Sequence, residues 1–377
     1  MRLHLSKNIF NQLQATGDRI VRFATVDASL PSPVRMNIAI NGFGRIGRQV
    51  YRIVAEKHPG VKIVLINDLT DVASLAHLLE WDSTYGHFDC GASADGDTLN
   101  TRFGSTRVTA IKEPDKLPHK DLKVDVVLEC TGRFTKREEA ALHLKAGAKK
   151  VIISAPGKDK VDGTFCIGVN HETYDSKTMH VISNASCTTN CLAPMAKVLH
   201  DSFGIEYGLM TTIHSYTNDQ NLLDLPHKDL RRARAAAVNM VPTSTGAAKA
   251  IGLVIPELEG KLNGVAIRVP TPTGSITDLT VVTKKPTTKE EVNTAFEKAA
   301  KGAMKGILGF EKRPLVLQDY VGDPRSSIVD AELTEVIGSS TGLTARGTLV
   351  KTFSWYDNEW GYANRLAELA KYIGDQI

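Results

Sequence analysis

A glycine-rich stretch that begins at Gly42 restricts the fold of this chain more than any other feature of its sequence. Gly42, Gly44 and Gly47 stand in G-x-G-x-x-G spacing directly after the apolar run MNIAIN, and the helix-periodic stretch GRQVYRIVAEKH overlaps their end. In a strand–turn–helix unit the first glycine permits a tight turn, the second lets the backbone approach a pyrophosphate, and the third lets helix and strand pack closely. The helix N-terminus then faces the phosphates. The sequence therefore predicts a dinucleotide site in a parallel α/β domain.

Asp68 indicates which dinucleotide is bound. It ends the apolar stretch VLIND, roughly 20 residues beyond the glycines, where a carboxylate reaches ribose hydroxyls. A carboxylate at this position accepts hydrogen bonds from those hydroxyls and repels a 2′-phosphate. We therefore expect NAD as the cofactor. A glycine-rich turn without a ligand is the alternative, but the complete strand–turn–helix–acid context favours the dinucleotide site.

The remaining sequence shows two patterns. Up to residue 186, short apolar runs such as VDVVLEC and KKVIISA alternate with helical segments such as REEAALHLKAG. This alternation predicts a Rossmann-type, doubly wound parallel sheet. Beyond it, longer alternating runs such as SITDLTVVTKK predict an antiparallel sheet with one exposed face. We therefore predict an α/β protein with a second, α+β domain.

Charge, hydropathy and cysteine content exclude several classes of protein. The 46 basic and 42 acidic residues give a net charge of +4, which offers no electrostatic basis for binding nucleic acid or a membrane surface. No apolar run approaches the ~18–20 residues of a membrane helix. The five cysteines are odd in number in a long chain, so we expect no secreted disulfide framework and a reducing, cytoplasmic location.

The first 35 residues differ from the rest of the chain. They are basic with scattered apolar residues, and they end in the linker-like SLPSPVR before the pattern begins at Met36. An organelle-targeting peptide has this character, but Asp18 and Asp27 weaken that interpretation. The alternatives are a disordered tail and an upstream start codon ahead of a true start at Met36.

The stretch SNASCTTNC contains two cysteines four residues apart. A metal site needs three or four ligands, and no further Cys or His lies near this pair in the sequence. A redox disulfide prefers C-x-x-C. In a third interpretation Cys187 lies in the first turn of a helix, where the N-terminus favours a thiolate, and Cys191 faces the interior. We favour this third interpretation and predict no metal.

As a nucleophile, Cys187 needs a second group near it. Lowering the pKa of a thiol from ~8.5 by ~2 units requires ~2.7 kcal/mol, of which a helix terminus supplies ~1 kcal/mol. A positive or hydrogen-bonding group must supply the rest. His214, on the alternating strand of TTIHSYTND, is the simplest candidate. A lone histidine on a strand is usually structural, and the sequence alone does not bring the two residues together.

Several motifs in one order carry a resemblance to a known enzyme family. They are INGFGRIGR, ECTGRFTKRE, SNASCTTNCLAP, TTIHSYTNDQ, LPHKDLRRARAAA, PTSTGAAKA, LNGVAIRVPTP and SWYDNEWGY. From Met36 to the C-terminus the chain resembles phosphorylating glyceraldehyde-3-phosphate dehydrogenase. The resemblance implies oxidation of D-glyceraldehyde 3-phosphate to 1,3-bisphosphoglycerate with NAD+ and inorganic phosphate. Cys187 would form a thiohemiacetal, His214 would take the proton as hydride leaves, and phosphate would attack the resulting thioester.

The same resemblance assigns binding residues position by position. The substrate's phosphate would be held by Thr217, Arg232 and Arg268. The attacking inorganic phosphate would be held by Ser186, Thr188, Thr245 and Gly246. Arginine offers bidentate charged hydrogen bonds, and hydroxyl and backbone N–H groups orient phosphate oxygens. The cofactor contacts would come from Gly42, Gly44, Arg45, Ile46, Gly47, Asp68, Lys112, Ser154, Asn358 and Tyr362.

The resemblance also implies a domain organisation and an assembly. Because Asn358 and Tyr362 would lie near the nicotinamide, the final helix returns to the first domain. We therefore expect an N-terminal extension over 1–35, an NAD-binding domain over 36–186 plus 357–377, and a catalytic domain over 187–356. The stretch NDQNLLDLPHKDLRR resembles the S-shaped loop that reaches a neighbouring subunit's cofactor in the family. A homotetramer is implied.

The chain departs from the family in two places. Residues 1–35 are absent from ordinary cytosolic members, which leaves targeting to an organelle open. The segment VIGSSTGLTARGTLVK is a few residues longer than is usual between two strands. We expect a hairpin loop there, without effect on the site.

Two alternative functions stay open. Erythrose-4-phosphate dehydrogenase has a similar cysteine and histidine, but PTSTGAAKA favours the triose-phosphate type because its Thr-Gly pair completes the inorganic phosphate site. The second alternative is a protein that keeps the fold and binds RNA through its dinucleotide groove. Intact catalytic residues argue against this, and Asp229 interrupts the basic run HKDLRRAR. We expect no nucleic acid as the primary partner.

Overall fold

The computed structural model describes residues 36–338 and 346–377. The N-terminal extension over 1–35 lies outside the described residues. The same holds for the centre of the expected hairpin loop, residues 339–345.

The first part of the chain forms a nine-stranded sheet with a small hairpin beside it. Its strands are β1 Met36–Asn41, β2 Val61–Asn67, β3 Trp81–Asp82, β4 Gly86–His87, β5 Ser93–Asp95, β6 Thr98–Thr101, β7 Gly104–Thr109, β8 Val126–Glu129, β9 Lys150–Ile153, β10 Gly163–Thr164 and β11 Val181–Ser183. The strand order is β10-β11-β9-β8-β1-β2-β7-β6-β5, and β3 pairs with β4. Pairing is parallel except at β7-β6-β5. The strand order reverses at β1, where open α/β sheets bind ligands.

Helices cover both faces of this sheet. The helices of the chain are α1 Arg45–Lys57, α2 Val72–Glu80, α3 Arg137–Ala140, α4 Leu142–Lys145, α5 Cys187–Phe203, α6 Ile251–Val254, α7 Lys289–Lys301 and α8 Trp360–Gly374. Ile38 and Ile40 pack in one core cluster with residues of α1, α2 and α8. Ala39 packs in a second cluster on the opposite face, with Ala140 of α3. Burial of both faces explains why the central strands β1, β8 and β9 are almost continuously apolar.

The second sheet is mixed. Its strands are β12 Ile205–Ser215, β13 Val241–Ser244, β14 Leu262–Val269, β15 Ser275–Thr287, β16 Leu308–Glu311, β17 Ser327–Asp330, β18 Glu335–Ile337 and β19 Gly347–Tyr356. They lie in the order β13-β14-β12-β15-β19-β17-β16, with β18 on β19. Most pairs are antiparallel, as expected, but β12 pairs with β14 and β16 with β17 in parallel. A long crossover between β12 and β14 permits the parallel pair. The predicted α/β class is confirmed.

One face of the second sheet packs on α5 and the other is exposed. On β12, Met210 and His214 are buried, whereas Tyr207 and Leu209 are 60% and 66% exposed. Leu192, Met195 and Leu199 line the buried side of α5. Among the helices of the described residues, none is long and apolar enough to cross a membrane.

Candidate active site

Helix α5 begins at the candidate nucleophile, and local hydrogen bonds fix its start. The Ser186 hydroxyl accepts a hydrogen bond from the Thr189 N–H at 2.9 Å, as an N-cap does. The preceding residue, Ala185, has a φ of 55°, which is rare for a residue with a side chain. Tyr362 donates to the Ala185 carbonyl oxygen at 3.1 Å and helps to hold it. Strain of this kind persists where surrounding contacts enforce it, and here it sets Cys187 at the first helical position.

The structure brings the two candidate catalytic residues together. The Cys187 Sγ lies 3.5 Å from the His214 Nε2. His214 lies near the end of β12, in register with Arg268 of β14 and Ser275 of β15. Its ring is 3% exposed and meets the Tyr356 ring edge-on, with 6.0 Å between centroids. A sulfur and an imidazole are therefore held within proton-transfer reach in a buried setting.

Burial dominates the electrostatics of this pair. It raises the pKa of the Cys187 thiol, against the opposing effects of Arg268 and of hydrogen bonds from Thr188. Burial, with the charge of Arg268 next, lowers the pKa of His214 to about 3. We expected His214 to be the group that lowers the thiol pKa; Arg268 and the hydrogen bonds from Thr188 lower it instead, and burial outweighs them.

A cavity of about 480 Å³ opens over the pair and extends to the glycine-rich loop. Residues predicted separately as cofactor, substrate and catalytic residues line it together: Arg45, Ile46, Ser154, Ser186, Cys187, His214, Thr217, Asn358 and Tyr362. Within residues 36–338 and 346–377, no group of three His, Cys, Asp or Glu residues is arranged to hold a metal ion. The cavity therefore joins the N-terminus of α1 to the Cys–His pair.

The three glycines have the three geometries that their spacing indicates. Gly42 has a φ of 91°, in the left-handed region. A Cβ on Gly47 would collide with the carbonyl oxygen of Gly42, so α1 packs directly on the turn. A Cβ on Gly44 would meet no atom within 4 Å. Open space in front of Gly44 fits a pyrophosphate at the start of α1.

Asp68 and Lys112 lie at the adjoining edge of the sheet. The Asp68 Oδ2 accepts from the Phe43 N–H at 2.8 Å, which holds the carboxylate against the glycine-rich loop. Lys112 is exposed and follows Ile111, whose N–H donates to the Asn67 side chain at 2.9 Å. Neither Asp68 nor Lys112 lines the cavity above the catalytic pair.

The side chain of Arg45 has a structural partner that the sequence did not indicate. Its Nε donates to both carboxylate oxygens of Glu359 at 3.0 Å, and it also pairs with Asp82. The guanidinium therefore joins the start of α1 to the start of α8. Glu359 lies far from Arg45 in the sequence, and no local pattern points to the pair.

Asn358 is oriented by the residues around it. Its Oδ1 accepts from the Gly274 N–H at 2.9 Å and from the hydroxyls of Ser215 and Ser275 at 3.0 Å. The amide nitrogen is thus the end that can meet a ligand in the cavity. Ser154 stands at the end of β9, where its N–H donates to the Glu129 carbonyl at 3.0 Å.

Two of the three candidate residues for the substrate's phosphate contact one aspartate. The Asp219 carboxylate accepts from the Thr217 hydroxyl and from Arg232. Arg232 also lies 3.5 Å from Asp229. The third candidate, Arg268, has its Nη1 2.7 Å from the His214 Nδ1. Asp219 belongs to the motif TTIHSYTNDQ and follows Thr217 by two positions. The sequence could therefore have indicated a carboxylate beside the candidate phosphate-binding residues.

The candidates for the inorganic phosphate site are more dispersed. The Thr188 hydroxyl lies 2.9 Å from the Tyr356 hydroxyl, and the Tyr356 hydroxyl lies 2.8 Å from the Thr212 hydroxyl. The Thr188 hydroxyl is therefore hydrogen-bonded to buried side chains. Thr245 and Gly246 follow β13, and the Thr245 hydroxyl accepts from a backbone N–H two residues on at 3.2 Å. Neither residue lines the cavity. Sequence reasoning missed Tyr356, whose importance depends on packing beneath the catalytic pair.

Comparison with protein families identifies both parts of the chain. Residues 36–137 match the model of the glyceraldehyde 3-phosphate dehydrogenase NAD-binding domain. Residues 186–358 match that of the glyceraldehyde 3-phosphate dehydrogenase C-terminal domain. The predicted family is confirmed by both matches.

Curated relatives agree over nearly their whole length. The chain is 56% identical to glyceraldehyde-3-phosphate dehydrogenase of Geobacillus stearothermophilus, over 90% of this chain and 99% of the relative. It is 56% identical to glyceraldehyde-3-phosphate dehydrogenase 1 of Bacillus subtilis, over 90% and 98%. It is 54% identical to glyceraldehyde-3-phosphate dehydrogenase 1 of Streptomyces avermitilis, over 91% and 99%. The chain therefore belongs to the glyceraldehyde-3-phosphate dehydrogenase family and is an NAD-dependent dehydrogenase.

Proposed function

We propose that this protein oxidises D-glyceraldehyde 3-phosphate to 1,3-bisphosphoglycerate with NAD+ and inorganic phosphate. The observation that carries the proposal is the 3.5 Å approach of the Cys187 Sγ to the His214 Nε2. The cavity above this pair continues to the first residues of α1, Arg45 and Ile46. The names of the relatives supply the substrate, and the juxtaposition supplies a means of acting on its aldehyde.

Cys187 carries the covalent steps in this proposal. Its sulfur bonds to the aldehyde carbon while the thiol proton passes by way of His214 to the carbonyl oxygen, which gives a thiohemiacetal. When the hydride leaves that carbon, the His214 Nε2 takes the hydroxyl proton and a thioester remains. Burial and the charge of Arg268 lower the pKa of the imidazole to about 3, which favours the uncharged ring. It therefore has a lone pair with which to accept that proton.

The residues around the cavity fit a dinucleotide. Asp68 would accept bonds from the adenosine ribose, and the open side of Gly44 would face the pyrophosphate. The Asn358 amide nitrogen would donate to the carboxamide of the nicotinamide. When bound, NAD+ supplies the hydride acceptor. Tyr362, which lines the same cavity, would pack beside the ring.

Phosphate completes the reaction by attacking the thioester carbon and releasing the Cys187 thiolate, which regains a proton. Thr217, Arg232 and Arg268 are proposed to hold the phosphate of the substrate. Ser186, Thr188, Thr245 and Gly246 are proposed to hold the attacking phosphate. Cationic and hydroxyl groups suit oxyanions, and the thiolate leaves more readily than an alkoxide would.

Two aldehydes and two phosphate conditions test the proposal. NADH formation is measured with D-glyceraldehyde 3-phosphate and with D-erythrose 4-phosphate, each with and without inorganic phosphate. We expect faster turnover of the triose phosphate and a steady-state rate that requires phosphate. A rate that phosphate leaves unchanged would refute the phosphorylating assignment, and preference for the tetrose would identify the alternative dehydrogenase. RNA binding without NADH formation would support the non-enzymatic alternative.

We also propose a cytoplasmic homotetramer. The S-shaped loop exposes Leu222, Leu223 and Leu225 at 76%, 69% and 61%, and the outer face of β12 exposes Tyr207 and Leu209. Apolar surface of this extent is typical of protein contacts.

N-terminal sequencing of the natural protein would show whether residues 1–35 are present, cleaved or never translated.

A further inference from the structure

Tyr85 links the small hairpin beside the first sheet to the end of the second sheet. It lies in the turn between β3 and β4, and its hydroxyl donates to the Asp357 Oδ1 at 2.8 Å. Asp357 directly follows β19 and is buried. In the described part of the chain, the other donors to this carboxylate all come from beyond residue 187: Thr273, Gly322, Glu359 and Trp360. The Tyr85 hydroxyl is therefore the link that the first part of the chain makes to this carboxylate.

Asp357 and the next residue, Asn358, are bonded to two consecutive residues of the loop between β14 and β15. The Thr273 hydroxyl donates to the Asp357 Oδ1 at 3.3 Å, and the Gly274 N–H donates to the Asn358 Oδ1 at 2.9 Å. The Thr273 hydroxyl also lies 3.5 Å from the Tyr85 hydroxyl. A shift of Asp357 would therefore move Asn358 as well, and with it the amide nitrogen that can meet a ligand in the cavity.

The turn that carries Tyr85 is itself fixed to the start of α1. The Asp82 Oδ1 accepts from the N–H groups of Thr84 and Tyr85 at 2.8 and 3.1 Å, which holds the turn in shape. The same carboxylate pairs with Arg45, the first residue of α1. The Arg45 guanidinium also lies over the Tyr85 ring, 5.6 Å from its centroid. Tyr85 thus spans the distance from the start of α1 to the turn that holds Asn358.

A dinucleotide in the cavity would contact both ends of this span. Its pyrophosphate would lie at the start of α1, and its nicotinamide would lie beside Asn358. Because the ligand is held at both ends, the carboxamide meets the Asn358 amide only when the two ends stand at the right separation. A separation that is fixed before binding increases affinity, since less has to be ordered when the ligand arrives.

We propose that Tyr85 is a positioning residue that acts through Asp357 to set Asn358 for the nicotinamide end of the cofactor. The phenol hydroxyl does not contact the cofactor in this inference. It fixes the turn before α8 relative to the loop that binds the pyrophosphate. The inference rests on the proposed function for the placement of the nicotinamide beside Asn358.

Calorimetric titration of the full-length protein with NAD and with ADP-ribose tests the proposal. ADP-ribose keeps the adenosine, the pyrophosphate and the second ribose but lacks the nicotinamide, so the ratio of the two dissociation constants reports on the nicotinamide alone. Tyr85→Phe removes the hydroxyl and keeps the ring that packs on Arg45 and Trp360. We expect NAD to bind about 3- to 10-fold more weakly, the effect of one lost hydrogen bond, and ADP-ribose to bind as it does to the wild type.

A double-mutant cycle shows whether the effect passes through Asn358. Asn358→Ala should also weaken the binding of NAD and spare that of ADP-ribose. Tyr85→Phe should then cause no further loss in the Asn358→Ala protein, because the group that it positions is gone. The matched control is Tyr51→Phe, which removes a hydroxyl 2.9 Å from Thr101 within the first part of the chain and should keep the wild-type ratio.

Three results would overturn the inference: an unchanged ratio in Tyr85→Phe, an equal loss of affinity for both ligands, or additive losses in the double variant. Equal loss would show that the hydroxyl supports the fold in general, and melting temperatures of the same proteins would record that effect. Phosphate-dependent NADH formation by the wild type is measured separately. If it is present while the ratio ignores Tyr85→Phe, the positioning role fails and the proposed function stands; if it is absent, the proposed function itself fails.

Discussion

At the scale of single residues, the surroundings of Cys187 distinguish it from the other cysteines. All five are free thiols. Cys191, one helical turn further on, is fully buried, with its Sγ 3.7 Å from the Ser354 carbonyl oxygen. Only Cys187 of these two lines the cavity and meets an imidazole. Position on α5, rather than thiol chemistry alone, therefore separates a nucleophile from a packing residue.

Replacement of Cys187 by serine tests this difference directly. Cys187→Ser should lower aldehyde oxidation by more than ~10³-fold, because a hydroxyl is a far weaker nucleophile near neutral pH. NAD binding, measured by calorimetry, should persist because the glycine-rich loop is unchanged. Cys191→Ser is the matched control and should retain activity, since the Ser327 hydroxyl and the Ser354 carbonyl oxygen can hydrogen-bond the new hydroxyl. Near-normal oxidation by Cys187→Ser would remove the nucleophile assignment.

Burial of His214 leads to a prediction about the pH dependence of stability as well as about the reaction rate. Its pKa in the folded protein is about 3, whereas an unfolded histidine titrates near ~6.5, so as pH falls below ~6.5 the unfolded state binds the proton first. Stability contributed by the neutral ring is therefore present above pH ~6.5 and is lost progressively as pH falls toward 3. Between pH 7.5 and 5 this loss amounts to about 2 kcal/mol.

His214→Asn should consequently lose less stability than the wild type over that interval, by about 2 kcal/mol in the free energy of unfolding from denaturant titrations. It should also slow acylation by ~10²–10⁴-fold. His119, whose pKa burial likewise lowers to about 3, is present in both proteins, so its contribution cancels in the comparison. Parallel stability curves for the two proteins would show that His214 is not buried in its neutral form.

At the scale of secondary-structure elements, two glycines at the junction of β1 and α1 allow the packing of the fold to be tested separately from the binding of NAD. Gly47→Ala places a methyl group against the Gly42 carbonyl oxygen, so it should destabilise the fold by ~1–3 kcal/mol and weaken NAD binding. Gly44→Ala meets no protein atom within 4 Å, so it should leave the melting temperature almost unchanged and weaken NAD binding alone. Thermal unfolding and calorimetric titration with NAD measure the two effects. Equal loss of stability in both variants would contradict the separate roles.

The elements also show what sequence can and cannot predict. The helical start at Cys187 follows from a local signal, a serine N-cap before a helix-periodic run. The left-handed φ of Ala185 does not follow, because alanine carries no preference for it. The Arg45–Glu359 pair depends on α1 and α8 packing side by side, and no local pattern records that contact. Local signals thus predict the elements, whereas the long-range side-chain partners emerge only from the packed structure.

At the scale of the whole molecule, periodicity predicted two kinds of sheet because each buries its strands differently. The central strands of the first sheet are covered on both faces, so they are almost continuously apolar. The second sheet buries one face, so its strands alternate. Its parallel pairs were not predicted, because alternation reports which faces are buried and not the direction of a neighbouring strand.

The exposed apolar residues make a final prediction about assembly. Leu209 and Tyr207 project from the outer face of β12 and are 66% and 60% exposed, so a monomer would leave them in water. We expect the wild type to sediment as a tetramer at micromolar concentration. Leu209→Lys and Tyr207→Lys should give smaller species, because burying an unpaired ammonium group at an interface is unfavourable. Leu78→Lys, at a position of α2 that is 41% exposed, is the control and should keep the wild-type mass. A monomeric wild type, or a Leu209→Lys protein of unchanged mass, would show that this face does not join subunits.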